Sequence, residues 1–317
     1  MIQAWIADAS GVRAADAEEA IARAKDGSAH AWLDLEDENY DTVCRVLAPL
    51  DIHPLVLEDM VMESNRPKLD DYGPYLYLVM HSARWEEARP AIREIDILLG
   101  PNFIVTYHDV ATRSVTAARD VLQRRPELLQ KSTSHLLHFM LDVLVDNYLP
   151  IVDRLGEEVD ELEEAIFREE PAGAQEQIVR LKRGMAALRR IVGPERDTLL
   201  AITRDEFRAI PPDMRPYLRD VYDRLARISD LLDSFRDEIA TLLELHVALA
   251  SNQLNNVIKR LTLIATIGLP LTVVTSYYGM NFRLGVYEWK HGELYVLGVL
   301  VATALVTWGV LRWKRWS

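Results

Sequence analysis

A single cysteine, Cys44, stands in 317 residues, and that scarcity excludes an intramolecular disulfide and any zinc site built on thiolates. It fits a reducing compartment, and Cys44 reads as a small core residue. The eight histidines are scattered, and no nucleophile, base and orienting group fall together by spacing, so enzyme chemistry has no carrier. There is no glycine-rich phosphate loop and no nucleophile elbow. Basic charge is outweighed, with 36 Lys and Arg against 49 Asp and Glu for a net −13; this argues against nucleic-acid binding and allows attraction of cations. Met1-Ile2-Gln3-Ala4-Trp5 has neither the basic flank nor the apolar core of a cleavable leader, so none is expected.

Long apolar runs are missing as far as residue 256 and abundant after it. Leu261 to Tyr278 and Leu294 to Leu311 are each about 18 residues without a charge, near the length that crosses roughly 30 Å of hydrocarbon. Lys259 and Arg260 precede the first run, and Arg312, Lys314 and Arg315 follow the second. Between them, Arg283 and Lys290 balance Glu288 and Glu293. Short flanks rich in Lys and Arg stay in the cytoplasm, so both ends are expected there, in a multi-pass protein of the cell (inner) membrane. Trp289, Trp313 and Trp316 suit interfacial anchoring.

The spacing predicts an α+β membrane protein. A cytoplasmic α/β domain is expected over 1–130, with strands at Ile2 to Ala7, Ala29 to Leu35, Tyr75 to His81, Ile92 to Leu99 and Phe103 to Tyr107 in a mixed sheet. Helices are expected near Asp16 to Lys25, Tyr40 to Leu47 and Pro54 to Met62. A cytoplasmic helical stalk follows over 131–256, made of helices from about Ser134 to Glu169, from Ala174 to Arg204 and from Pro216 onward, with Pro171 and Gly173 in the first break. Leu218, Val221, Leu225, Ile228, Leu232, Phe235, Ile239, Leu242 and Leu245 make a coiled-coil-like stripe on the last. It runs without a breaker into a first membrane span at 257–278; a loop at 279–293, a second span at 294–313 and a tail at 314–317 complete the chain.

Within the first span, Asn255, Ile258, Thr262, Ala265, Leu269, Thr272 and Ser276 step by three and four and share one face. Leu263, Ile264, Ile267, Leu271 and Val274 lie off it. Small and hydroxyl residues on such a helix also serve helix packing. Stacked along one stripe, their oxygens suit a hydrated divalent ion, because Mg²⁺ dehydrates reluctantly and keeps several waters. Pro270 removes one backbone bond and frees the carbonyl of Thr266. The segment Asp153 to Glu170 holds nine acids in 18 residues, a solvated face that would also raise local cation concentration.

Leu261-Thr262-Leu263-Ile264-Ala265-Thr266-Ile267, Pro270-Leu271-Thr272 and Tyr278-Gly279-Met280-Asn281-Phe282 together resemble the first span and signature of the CorA magnesium channels. The resemblance extends upstream through Ile52-His53-Pro54-Leu55-Val56-Leu57-Glu58-Asp59, Asn65-Arg66-Pro67-Lys68 and Tyr217-Leu218-Arg219-Asp220-Val221-Tyr222-Asp223, and so covers nearly the whole chain. It implies a homopentameric funnel conducting Mg²⁺, with Co²⁺ or Ni²⁺ as further cargo, and gated by intracellular Mg²⁺. Gly279, Met280 and Asn281 would form the selectivity filter, and Asn255, Leu261, Leu269, Thr272 and Ser276 would line the pore, Leu261 as a hydrophobic constriction. Asp59 and Asp220 match an inter-subunit regulatory metal pair, with Glu58 and Asp142 as secondary positions.

The loop after the signature departs from the Mg²⁺ pattern. Phe282-Arg283-Leu284-Gly285-Val286-Tyr287-Glu288 carries a cation where family members often have an acid. Reduced acidity there resembles the zinc-transporting relatives of the ZntB type, whereas Met280 matches the Mg²⁺ side. His291 has no second His or Cys nearby to build a zinc site within the loop. Proton-coupled Zn²⁺ transport therefore stands as the alternative, and a non-conducting, membrane-anchored coiled-coil scaffold is the reading from another class.

Overall fold

The computed structural model describes residues 1–62, 66–87, 89–168, 173–280, 286 and 289–313. The chain divides into two compact units, Met1–Leu243 and Glu244–Ser317.

In the first unit, strands β1 (Ile2–Asp8), β2 (Gly11–Ala15), β3 (His30–Glu36), β4 (Lys68–Asp71), β5 (Leu76–Glu86), β6 (Arg89–Leu99) and β7 (Phe103–His108) form one sheet in the order β2-β1-β3-β7-β6-β5-β4. It is mixed, as the pattern predicts: β3 and β7 run parallel, and the other neighbouring pairs are antiparallel. The central strands read as near-continuous apolar runs because both faces are covered. Leu33, Leu35, Tyr77, Val79, Leu98 and Val105 pack on one face against α1 (Ala17–Lys25), α2 (Tyr40–Leu47) and α3 (Pro54–Met62). Cys44 is a free thiol, half-buried at the edge of that core.

Helices α4 (Arg113–Arg124), α5 (Glu127–Lys131) and α6 (Thr133–Asp146) follow β7. The single helix expected from about Ser134 to Glu169 is two, α6 and α7 (Leu149–Phe167), broken at Asn147 and Tyr148. Pro150 explains the break: it lacks an N–H and fits only the first turn of a helix, where α7 places it. Helix α8 (Ala174–Arg204) begins and ends where the sequence places it, and Gly173 precedes it with φ +94°, a conformation open to glycine. Pro171 lies outside the described residues.

Helix α9 (Arg215–Tyr278) is 64 residues without interruption. Its stripe is buried at Leu218, Val221, Leu225, Ile228, Leu232, Ile239 and Leu242. Phe235 is half-buried and sets the spacing to α7: a Cβ on Gly156 would lie 2.9 Å from its ring, too close to tolerate. In the second unit, α9 gives its C-terminal part and α10 (Gly292–Trp313) follows. Both helices are long and apolar enough to cross a membrane.

One polar knot ties α8 to the sheet. Glu195 is fully buried, accepts the His81 backbone N–H at 2.6 Å, and lies 2.9 Å from the Tyr148 hydroxyl, itself 2.6 Å from the His81 carbonyl. Burial pushes the Glu195 carboxyl up to about 8, so near neutral pH it is protonated and donates to Tyr148, which donates to His81. The folded chain holds this proton where the unfolded chain, with a carboxyl near 4.5, has lost it. Stability from this group is therefore greatest below the unfolded value and falls as pH rises toward about 8, by about 1.4 kcal/mol per pH unit. Thermal melts of the full chain across that range will show the decline, and Glu195→Gln will flatten it.

Candidate functional site: an exposed helix face and a carboxylate cluster

From Leu261 to Tyr278, α9 presents two unlike faces. Leu263, Thr266, Ile267, Pro270, Leu271, Val274 and Tyr278 are half-buried, whereas Leu261, Ala265, Leu269, Thr272 and Ser276 are exposed. At about 100° per residue the two sets lie on opposite sides of the helix. The exposed residues also include Ile264, Val273, Thr275 and Tyr277, so the stripe that spacing picks out lies within a broader exposed arc, with Thr262 half-buried inside it and Asn255 exposed below it. Leu261 and Leu269 are 65% and 66% exposed, and with Ile264 and Val273 they belong to a run of exposed apolar side chains, the kind of contiguous surface that marks contact with a partner or with lipid.

The hydroxyls are tied to the helix itself. Thr262 Oγ1 donates to the Ile258 carbonyl at 2.8 Å, Thr266 to Thr262 at 2.7 Å, Thr272 to Gly268 at 2.9 Å and Thr275 to Leu271 at 3.0 Å. With its proton committed to the backbone, each threonine oxygen turns only lone pairs outward. Thr272 does so on the exposed face. Helix α9 continues through Pro270, whose missing N–H leaves the Thr266 carbonyl without its usual donor. The helix ends at Tyr278, and Gly279 donates to the Thr275 carbonyl at 2.9 Å. A Cβ on Gly279 would sit 3.1 Å from that carbonyl, so the turn favours glycine. Met280 is exposed; Asn281, the third member of the signature, lies outside the described residues, as does Arg283.

Three of the four acids singled out in the first unit, Asp59, Asp142 and Asp220, each hold a cation of the same chain. Asp59 on α3 accepts from Lys68 Nζ at 2.6 Å, and Asp70 lies 3.5 Å from the same ammonium. Asp142 on α6 and Asp220 on α9 are brought together by Arg224, which bonds Asp142, reaches Asp146 at 2.6 Å and Asp220 at 3.3 Å. Three carboxylates thus share one guanidinium. Burial opposes the charge on Arg224, but its bond to Asp142 and the three acids outweigh burial and raise its pKa. Glu58 is exposed. Among the described residues no group of three or more His, Cys, Asp or Glu side chains is placed to hold a metal ion. Arg224 and Asp146 were not singled out from sequence, although Asp220 and Arg224, and Asp142 and Asp146, are each four apart and so share helix faces.

The family model described as CorA-like Mg²⁺ transporter protein matches residues 27–315. This chain belongs to the CorA family. The cobalt/magnesium transport protein CorA of Thermotoga maritima is 30% identical over 303 residues, 94% of this chain and 86% of its own. YfjQ of Bacillus subtilis is 33% identical over 268 residues, 83% of this chain and 82% of its own. The complete CorA structure from Methanocaldococcus jannaschii superposes with a TM-score of 0.81 at 18% identity, over 98% of this chain and 97% of that one, and so shares its fold. CorA-family proteins are membrane transporters of metal ions rather than enzymes, which agrees with a chain that brings no catalytic group together by spacing.

Arg224 holds its carboxylates against their mutual repulsion. Arg224→Gln will lower the stability of the full chain by about 2 kcal/mol, the scale of a charge-assisted hydrogen bond. Millimolar Mg²⁺ will restore more of the melting temperature in this variant than it adds to the parent.

Proposed function

We propose that the chain assembles as a homopentamer around a pore lined by α9 and carries Mg²⁺ inward, down its electrochemical gradient, with Co²⁺ or Ni²⁺ as further cargo. The observation that carries this reading is the exposed face Leu261, Ala265, Leu269, Thr272 and Ser276, opposite the half-buried side of the same helix. Further copies of the chain would cover it. The waters around Mg²⁺ turn their oxygens to the ion and their hydrogens outward, so a wall that passes the hydrated ion must offer acceptors. Thr272, with its proton given to the Gly268 carbonyl, is such an acceptor, as are the amide oxygens of Asn255 and Asn281. None of these binds as tightly as a carboxylate, which lets the ion leave. A ring of Leu261 would close the pore by dewetting.

Gly279, Met280 and Asn281 act in this reading as the filter that receives the hydrated ion at the outer mouth. Lys259 and Arg260 before the first span, and Arg312, Lys314 and Arg315 after the second, support both termini on the cytoplasmic side of the inner membrane. Regulation would come from intracellular Mg²⁺ between Asp59 of one copy and Asp220 of the next, with Glu58 and Asp142 nearby. Because Lys68 and Arg224 already hold these acids, the metal would compete with resident cations and bind only when abundant.

Proton-coupled Zn²⁺ transport is the second reading, favoured by Arg283 in place of an acid. Proteoliposomes decide between them: Mg²⁺ uptake that follows the membrane potential and ignores a pH gradient is expected, and zinc uptake that follows the pH gradient without Mg²⁺ uptake would sink the first reading. Asn281→Ala will reduce Mg²⁺ flux by at least about tenfold, the scale of one lost ion-facing hydrogen bond per subunit. A scaffold without conduction predicts no change. Leu261→Ser will raise flux when Mg²⁺ is present inside, because a hydroxyl ring wets where a leucine ring dewets.

A further inference from the structure

A cavity of about 780 Å³ opens in the first unit between the far end of β5, the start of α4 and the junction of α6 with α7. Its size is that of a small-molecule site, and its lining mixes apolar residues such as Val110 and Ile151 with several hydrogen-bond donors. Asn147 is 7% exposed, yet its side-chain amide nitrogen has no partner. The buried indole N–H of Trp85 has none either. Both residues border the cavity.

The N-terminus of α4 points the same way. Thr112, its N-cap, makes no side-chain bond to the helix; its hydroxyl lies 3.3 Å from Ser114 Oγ. No acid stands in the first turn of this 12-residue helix, so its leading N–H groups keep their partial positive charge and their need for an acceptor. Around this rim stand Arg84, Arg93, Arg113 and Arg154 against Glu86 and Asp120. Arg93 lies 3.7 Å from Glu86, and Arg154 lies over the Trp85 ring at 4.8 Å and 3.8 Å from Glu158, so the charge without a carboxylate partner rests on Arg84 and Arg113. Arg84 and Arg113 form no ion pair among the described residues. In a chain of net charge −13, a cavity with four guanidiniums and two carboxylates is a local inversion of sign.

We infer that this cavity binds a phosphate ester of nucleotide size, with its phosphates at the start of α4 and beside Asn147. Trp85 and Asn147 donate as neutral groups, the helix start supplies backbone N–H groups, and Arg84 and Arg113 supply unpaired charge. Water would satisfy single donors but leaves the surplus positive charge unmatched, whereas phosphate oxygens accept from several donors at once and carry the opposite charge. Inorganic phosphate alone is too small to fill about 780 Å³. The site shares no residue with the exposed face of α9 or with the Arg224 cluster, and it stands whether or not the pore reading does.

Titration calorimetry on the full chain in metal-free buffer, with inorganic phosphate, pyrophosphate and adenosine triphosphate, tests this. Adenosine triphosphate should bind saturably, one per chain, and more tightly than pyrophosphate. The pair Arg84→Ala and Arg113→Ala should weaken it by at least about tenfold, the scale of lost charge-assisted contacts. Trp85→Phe keeps a ring beneath Arg154 and removes only the N–H, so it should weaken binding a few-fold without disturbing the melt. Absence of saturable binding for all three anions, binding that these substitutions leave unchanged, or equal affinity for pyrophosphate and adenosine triphosphate would each overturn the assignment.

Discussion

The backbone ladder of α9 is the constraint on which the rest depends. A peptide group in hydrocarbon has no water to bond, so a spanning segment must satisfy its N–H and C=O groups internally. Helix α9 does this over 64 residues, and four threonine hydroxyls in its apolar part fold back onto carbonyls of the same helix. Each back-bond makes a polar side chain tolerable in an apolar setting and fixes which way its lone pairs point. The same geometry that lets threonine enter lipid therefore makes it an acceptor on the helix surface. Pro270 is the one interior breach, and it frees a single carbonyl without ending the helix.

The sequence pattern along α9 reports burial in two different solvents. As far as Leu242, apolar residues recur because one face is buried against protein. From Leu261 to Tyr278 the helix is apolar nearly all round, so hydrophobicity no longer separates the faces. The distinction passes to polar and small residues: Thr272, Ser276 and Ala265 mark one side, while Ile267, Leu271 and Val274 mark the other. Those polar steps pick out one face from spacing alone, and the exposed arc of a single chain contains most of that face but is wider than it, taking in Ile264 and Val273 as well. Gly279 was legible only through resemblance, because a glycine after a helix is otherwise an ordinary stop.

What the sequence did not reveal lies at edges and in long-range charge. Strands β2 and β4 went unread because Gly11–Ala15 and Lys68–Asp71 close the two ends of the sheet, where polar residues blunt the edge and erase alternation. The core strands β3 and β7 were clear because burial on both faces makes them continuous apolar runs. Likewise the apolar spacing runs on past Pro150 as if in one helix, and the break it causes is seen only in the folded chain, where α6 ends at Asp146 and α7 begins at Leu149. Arg224 escaped notice because two of its partners, Asp142 and Asp146, are 82 and 78 residues away.

Arg224 also alters what an acid pair can mean. Asp59 and Asp220 read from sequence as bare carboxylates awaiting a metal, but in the folded chain each is neutralised by a neighbour, Lys68 or Arg224. A divalent ion arriving there gains Coulomb attraction to the acid and loses to repulsion from the resident cation, so the net attraction is small. Small net attraction suits a sensor of an abundant ion, which must release it as its concentration falls, and would fail for a scavenger of a scarce one. In the proposed regulatory role, the resident cations therefore favour Mg²⁺, which is abundant in cells, over trace metals, independently of the residue that precedes Asn281.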